Sequence, residues 1–333
     1  MPTISVFGSG GWGTAVAVLL AQKPDISVRL WGARAGTVAR LNESRENLSQ
    51  LPGVTIPGTV RITAEPSEAA DGADGWVTAI PTAFLRPTLE RLRNAYRTGT
   101  PIVSLTKGIE HETFRRPSEI IADVLGASPV AVLSGPSHAE EVARGMPTSV
   151  AVASPDAATA TWIQELFGTD RFRVYTNADL IGVELAGALK NVIGIAAGIC
   201  DGLGFGDNAK AALLTRGLVE MTRFGVAHGA DPATFAGLAG LGDLITTCYS
   251  PHGRNRRVGE RLAKGEPLSA VTAGPQVAEG VYTSQSVFDR TARMGVDTPI
   301  MAGVYDVLYR GRPPLEAVQA LLARTQKREN AKG

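Results

Sequence analysis

Much of what would commit the chain to a specialised class is scarce. Its 333 residues include two cysteines, Cys200 and Cys248, too few for a disulfide framework and in keeping with a reducing compartment. Four histidines (His111, His138, His228, His252) are scattered, and no His/Cys pair has metal-ligand spacing, so no metal is expected. Neither sign of charge is in excess. With 33 Lys and Arg against 32 Asp and Glu, the net charge is +1, which gives no reason to expect nucleic acid or an acidic membrane surface as partner. No run reaches the ~18 consecutive apolar residues of a membrane span. The opening MPTISVFGSGGWGTAVAVLLAQ has no basic leader and is broken by four glycines, which predicts a strand, a turn and a helix instead of a signal peptide. A cytoplasmic location with no membrane insertion is the expectation.

What is present is ordinary globular composition, 44% hydrophobic and 20% charged, in a chain longer than one core usually supports. Two domains are therefore expected. In the first half strands and helices alternate. Thr3–Phe7 is a short apolar run, Gly8-Ser9-Gly10-Gly11-Trp12-Gly13 a glycine turn, residues 14–22 a helical run, and residues 26–31 a second strand. This is the setting the G-x-G-x-x-G dinucleotide fingerprint requires. Gly8 would make the tight turn, Gly10 would let backbone approach a pyrophosphate, and Gly13 would let helix pack on strand. The helix start would offer N–H groups to the phosphates. A bare structural turn is the alternative. An acid at the end of the second strand would hold a ribose 2′-hydroxyl, but the chain reads Trp31-Gly32-Ala33-Arg34 there, with Asp25 and Glu43 the nearest acids. Arg34 suits a 2′-phosphate and hence NADP(H) over NAD(H); otherwise it is a solvated loop arginine.

Strands at residues 76–80, 101–105, 130–134, 148–153 and 172–176, with helices at 82–94 and 159–167, continue the pattern. The strand at 101–105 ends in Thr106-Lys107-Gly108, which places Lys107 at a strand's carboxyl end, where doubly wound sheets bind ligands. The strand at 130–134 runs into Gly135-Pro136-Ser137-His138-Ala139-Glu140; Ser137 with Glu140 reads as a capping box, or as a helix start facing ligand. From about residue 179 helical periods take over, with breaks near 202–206, 237–242, 250–253 and 312–314. The expected division is a doubly wound, Rossmann-like domain at 1–182 and an all-α domain at 183–333, whose last residues, 327–333, are polar and expected to fray.

The helical half is organised around residues 184–216. Leu185, Leu189, Val192, Ala196 and Ile199 form one face; Gly187, Asn191, Gly194 and Gly198 form another. Glycines inside a helix cost about 1 kcal/mol each, so their array predicts close backbone approach by something else. Lys190 is the one charge between Glu184 and Asp201. Desolvation makes such an ammonium a proton-exchange candidate, although a structural lysine paired with a carboxylate reads the same way. Asp243, in Gly240-Leu241-Gly242-Asp243-Leu244, is a lone acid that could partner it. Gly253-Arg254-Asn255-Arg256-Arg257 sets a guanidinium and an amide at a helix start, which suits a phosphate; Arg256 and Arg257 are read as a solvated face.

The segments GSGGWGTA, SLTKGIE, SGPSHAEEVA, ELAGALKNVIGIAAGICDGLGFGDNAKAALLTRG, GLGDLITTC, GRNRRVGE and VAEGVYT occur in this order over residues 3–322. In them the chain resembles the bacterial NAD(P)-dependent glycerol-3-phosphate dehydrogenase family. The resemblance implies reversible reduction of dihydroxyacetone phosphate to sn-glycerol 3-phosphate, the precursor of phospholipids, by a homodimer. It implies that Lys190 transfers the proton, that Lys107 bridges cofactor and substrate, and that Asp243 completes the catalytic group. Gly135 and Ser137 would line the substrate, with Gly253, Arg254 and Asn255 on its phosphate. Ser9, Trp12, Arg34, Ala139, Arg254, Val277 and Glu279 would be cofactor positions beside Gly8, Gly10 and Gly13. Ile80-Pro81-Thr82 stands where Val-Pro-Ser is commoner, and Ala33 where a polar or basic residue often stands, leaving Arg34 alone for the 2′-phosphate. A 3-hydroxyacid dehydrogenase of related build would not need the Gly253-Arg254-Asn255 group, and a cofactor-binding sensor would not need Lys107, Lys190 and Asp243 together.

Overall fold

The computed structural model describes residues 1–274, 277–326 and 328; of the tail expected to fray, Lys327 and residues 329–333 lie outside the described residues. The chain forms two compact units, Met1–Lys107 with Arg115–Glu184, and Gly108–Phe114 with Leu185 onward. The first unit is thus interrupted, where a continuous 1–182 was expected. The physical reason is Phe114, held at φ +59°, whose ring stacks 5.2 Å from that of His228 beneath the guanidinium of Arg290.

Among the described residues, ten strands form an eight-stranded sheet and a separate two-stranded ribbon. They are β1 (Thr3–Phe7), β2 (Ser27–Trp31), β3 (Glu46–Asn47), β4 (Leu51–Thr55), β5 (Arg61–Thr63), β6 (Gly75–Thr78), β7 (Ile102–Ser104), β8 (Val130–Ser134), β9 (Thr148–Ala153) and β10 (Phe172–Asn177). The sheet order is β10-β9-β8-β7-β6-β1-β2-β5. From β5 to β8 every pairing is parallel; β9 runs antiparallel to β8, and β10 parallel to β9. The winding reverses between β1 and β6, so the ligand crevice of such a sheet opens at their carboxyl ends. The central strands are buried almost throughout because helices cover both faces. Ile4, Val6, Leu30 and Val77 belong to one buried cluster; Phe7, Trp31, Trp76 and Leu85 belong to the other.

The second unit is helical. Its central helix, Leu180–Gly202, is the one described helix long and apolar enough to span a membrane, and it is buried from residue 182 to residue 200. Its glycines do admit close approach, and what approaches is the helix Arg254–Ala263. A Cβ at Gly198 would overlap the carbonyl oxygen of Arg256, one at Gly202 would lie 2.6 Å from that of Glu260, and one at Gly259 would overlap that of Ile195. Gly198→Ala should therefore lower stability by about 1–3 kcal/mol or more through forced separation of the two helices, against a small gain expected at an unobstructed helix position; urea titration measures the difference.

Residues 237–242, read as a break, are instead wound as a π-helix, Leu238–Gly242, that runs straight into Asp243–Tyr249. Further along, the buried Glu220 caps the helix Pro299–Tyr309, its carboxylate accepting the N–H groups of Ile300 (2.9 Å) and Met301 (3.2 Å). Burial pushes this carboxyl up to about 7. Between its unfolded value and pH 7 the folded chain then holds a proton that the unfolded chain has released, so this group's contribution to stability falls as pH rises through that window, by roughly 3 kcal/mol in all. Glu220→Gln, which keeps an acceptor for the N–H groups, should flatten that part of the pH–stability curve measured by denaturant unfolding between pH 5 and 8.

Candidate active site

In the first unit the fingerprint turn follows β1. Gly8 has φ +120°, and a Cβ there would overlap the carbonyl oxygen of Ala79; one at Gly13 would overlap that of Gly8. Beside Gly10 the nearest atom, Gln50 Oε1, is 3.8 Å from a Cβ position, an ordinary contact with the end of a side chain, so no backbone crowds this glycine. The helix Gly11–Leu20 starts inside the fingerprint with no side chain capping it, and the indole Nε1 of Trp12 is buried with no partner in the protein. Uncommitted N–H donors, an uncrowded glycine and tight packing behind it fit a dinucleotide pyrophosphate. The loop is also held by Asn47 of β3, whose amide donates to the Ser9 carbonyl (3.1 Å) and the Thr14 hydroxyl (2.9 Å). Gly32 keeps Ser9 against the end of β2, since a Cβ there would lie 2.6 Å from Ser9 Oγ. Arg34 follows, exposed, immediately before the helix Ala35–Ser44.

At the carboxyl ends of β7 and β8 the structure brings three predicted residues together. Lys107 Nζ donates to the Gly135 carbonyl (2.8 Å) and lies 3.4 Å from Ser137 Oγ. Gly135, at φ +137°, has no room for a side chain because Val150 Cα would be 3.0 Å away. The capping-box reading of Ser137 is corrected: its hydroxyl donates to the Gly135 carbonyl (2.9 Å), and His138 is the residue at the N-cap of the helix Ala139–Ala143. Ala139 is buried at the start of that helix.

The second unit assembles the other group. Lys190 is buried, with Nζ 3.1 Å from Asp243 Oδ1 and donating to Thr247 Oγ1 at 2.7 Å. Asp243 opens the helix Asp243–Tyr249, so Thr247 shares its face four residues on. That spacing was a signal for Thr247, which the sequence reading missed. It also missed Asn191, whose Oδ1 accepts Asn255 Nδ2 (2.8 Å), while Asn255 Oδ1 accepts the Gly280 N–H (3.0 Å). These bonds orient the Asn255 amide and tuck the start of the helix Glu279–Met294 beside it, with Val277 just before. Arg254 is the first residue of the helix Arg254–Ala263, half-buried, after an N-cap at Gly253 that has no side-chain capping bond. Arg257 is exposed, as read; Arg256 is not, since it pairs with Asp201 at 2.5 Å. The predicted residues thus fall into a nucleotide-suited group in one unit and a lysine–carboxylate–arginine group in the other.

Comparison with known proteins bears on both units. Residues 3–160 match the family described as NAD-dependent glycerol-3-phosphate dehydrogenase N-terminus, and residues 179–319 its C-terminus. The chain is 49% identical over 330 residues to the glycerol-3-phosphate dehydrogenase [NAD(P)+] of Chlorobium limicola, covering 98% of this chain and 99% of that one. It is 49% identical to that of Geobacillus kaustophilus over 333 residues, 99% of this chain and 96% of the relative. The crystal structure of glycerol-3-phosphate dehydrogenase from Coxiella burnetii superposes with a TM-score of 0.93 at 37% identity, covering 97% of this chain and 99% of the other.

Proposed function

The chain belongs to the NAD-dependent glycerol-3-phosphate dehydrogenase family, and from that premise we propose which of its residues carry the reaction. The reaction is the NAD(P)H-dependent, reversible reduction of dihydroxyacetone phosphate to sn-glycerol 3-phosphate. The observation that carries the assignment is the buried Lys190 ammonium, held between Asp243 and Thr247. A nicotinamide, when bound, would supply the hydride that this reduction needs. Lys190 Nζ is placed to stabilise negative charge on the substrate's carbonyl oxygen and to hand it a proton, and in the reverse direction to take that proton back. Asp243 and Thr247 fix the direction of Nζ. Arg254, with Asn255 and the open helix start after Gly253, holds the phosphate. Lys107, Gly135 and Ser137 serve the substrate side. The Gly8–Gly13 turn, Ala139, Val277 and Glu279 serve the cofactor.

The test is consumption of NADPH with dihydroxyacetone phosphate, and none with 3-oxoacids. Turnover of the oxoacids instead would overturn the reading.

Within it, NADPH is preferred, because Arg34 follows β2 where an acid would favour NAD(H). Arg34→Ala should lower kcat/KM for NADPH by about tenfold or more, chiefly through KM, since a charge-assisted phosphate contact contributes roughly 1.5–3 kcal/mol; NADH kinetics should stay unchanged. Equal efficiency of the two cofactors in the wild type removes Arg34 from this role. The reading extends to a cytoplasmic homodimer. The buried free thiols of Cys200 and Cys248 suit a reducing compartment; light scattering and cell fractionation test the dimer and the location.

A further inference from the structure

Asp201, one residue before the end of the helix Leu180–Gly202, has no part in the chemistry above, yet it binds two cations. Lys210 Nζ lies 2.6 Å from its Oδ1, and Arg256 Nη1 lies 2.5 Å from its Oδ2. All three side chains are at most one-fifth exposed. Arg256 then reaches back along its own segment, where Nε donates to the carbonyl oxygen of Ser250 at 3.3 Å. The same carbonyl accepts the N–H of Gly253 at 3.1 Å. Arg256 thereby closes the turn between the helix that carries Asp243 and Thr247 and the helix that starts at Arg254. The turn has no slack, since a Cβ on Gly253 would lie 2.8 Å from the Thr247 carbonyl oxygen. The other acid near Arg256, Glu260 at 3.8 Å, is paired with Lys264 at 2.7 Å. The guanidinium serves Asp201 through Nη1 and Ser250 through Nε, two donors fixed in one rigid plane; a lysine here has a single nitrogen and no donor at the Nε position.

We propose that Asp201 and Arg256 are positioning residues for recognition of the substrate phosphate: Asp201 orients Arg256, Arg256 fixes the turn, and the turn aims Arg254 and the open helix start. The inference rests on the assignment of Arg254 to the phosphate and deepens it. The experiment compares Asp201→Asn and Arg256→Lys with the wild type, alongside Arg254→Ala. The readouts are KM and kcat for dihydroxyacetone phosphate, kcat/KM for dihydroxyacetone, competitive inhibition by inorganic phosphate, and NADPH binding by fluorescence. Both positioning variants should raise KM for dihydroxyacetone phosphate and the inhibition constant for phosphate in parallel, roughly tenfold as for one lost charge-assisted bond, with a smaller fall in kcat. Their kcat/KM for dihydroxyacetone and their NADPH affinity should not change. Arg256→Lys keeps a cation for Asp201 but loses the bond to Ser250, so it reports the same pattern even where Asp201→Asn loosens the fold.

Wild-type KM and phosphate inhibition in both variants, or equal losses on both substrates, would overturn the proposal. Should Arg254→Ala leave the preference for the phosphorylated substrate intact, the clamp assignment fails and the positioning role with it. Should Arg254→Ala abolish that preference while both positioning variants keep wild-type constants, the positioning role alone fails.

Discussion

Lys190→Met should turn over at least ~10²-fold more slowly, the usual effect of losing a general acid, while still binding NADPH. The structure adds a stability cost that length and apolar bulk cannot avoid. Asp243, 3% exposed, loses the ammonium 3.1 Å from it, and breaking a buried pair from one side costs about 3–5 kcal/mol. A drop in Tm is therefore expected together with the drop in kcat, and the two can be separated. Adding Asp243→Asn removes the unmatched charge, so the double variant should recover much of the Tm and none of the rate. Recovery of rate together with Tm would make Lys190 a structural lysine. Near-wild-type kcat in the single variant would move the proton transfer elsewhere.

Arg254→Ala tests the substrate class. A contact remote from the reacting carbon can still lower kcat, because its binding energy also fixes the carbonyl in place. Arg254 begins the helix Arg254–Ala263, whose first N–H groups have no side-chain cap, so guanidinium and helix start act on the same dianion. Its loss should raise KM and lower kcat for dihydroxyacetone phosphate, with kcat/KM falling about 10²-fold or more. Dihydroxyacetone, which has no phosphate, should be a poor substrate for the wild type and hardly worse for the variant. A deficit of equal size on both substrates would show that Arg254 supports the fold or the cofactor, not the phosphate.

Local signals were legible before any packing was known. A glycine turn between an apolar strand and a helix can be read within a dozen residues, and it is where the structure puts the fingerprint. Strands buried on both faces announce themselves as predominantly apolar runs, so β1, β8 and β9 appear with the bounds expected. Lys190 stood out as a lone charge in an apolar helix, and Asp243 as a lone acid among glycines. Elements with little local signal escaped. The edge strand β5 has three residues, and β4 contains Pro52 and Gly53, residue types depleted in strands. The glycines of residues 237–242 promised a break, yet the chain winds there as a π-helix, so tightly that a Cβ at Gly240 would overlap the Phe235 carbonyl oxygen.

The sequence by itself determined the fold class, the glycine turn, the helix built to be approached closely and the charged residues of the candidate site. Only the tertiary structure decided who meets whom. The glycine spacing of Leu180–Gly202 required a close neighbour but could not name the helix Arg254–Ala263, and that crossing is what brings Asn255 to Asn191. It likewise drew Arg256 from the solvent to Asp201, and returned Phe114 to His228 across more than a hundred residues of chain. The physical reason is range. Periodicity and turn chemistry act over a few residues and are written locally. A hydrogen bond between residues 57 apart, such as Lys190 with Thr247, exists only after every helix between them has found its packing.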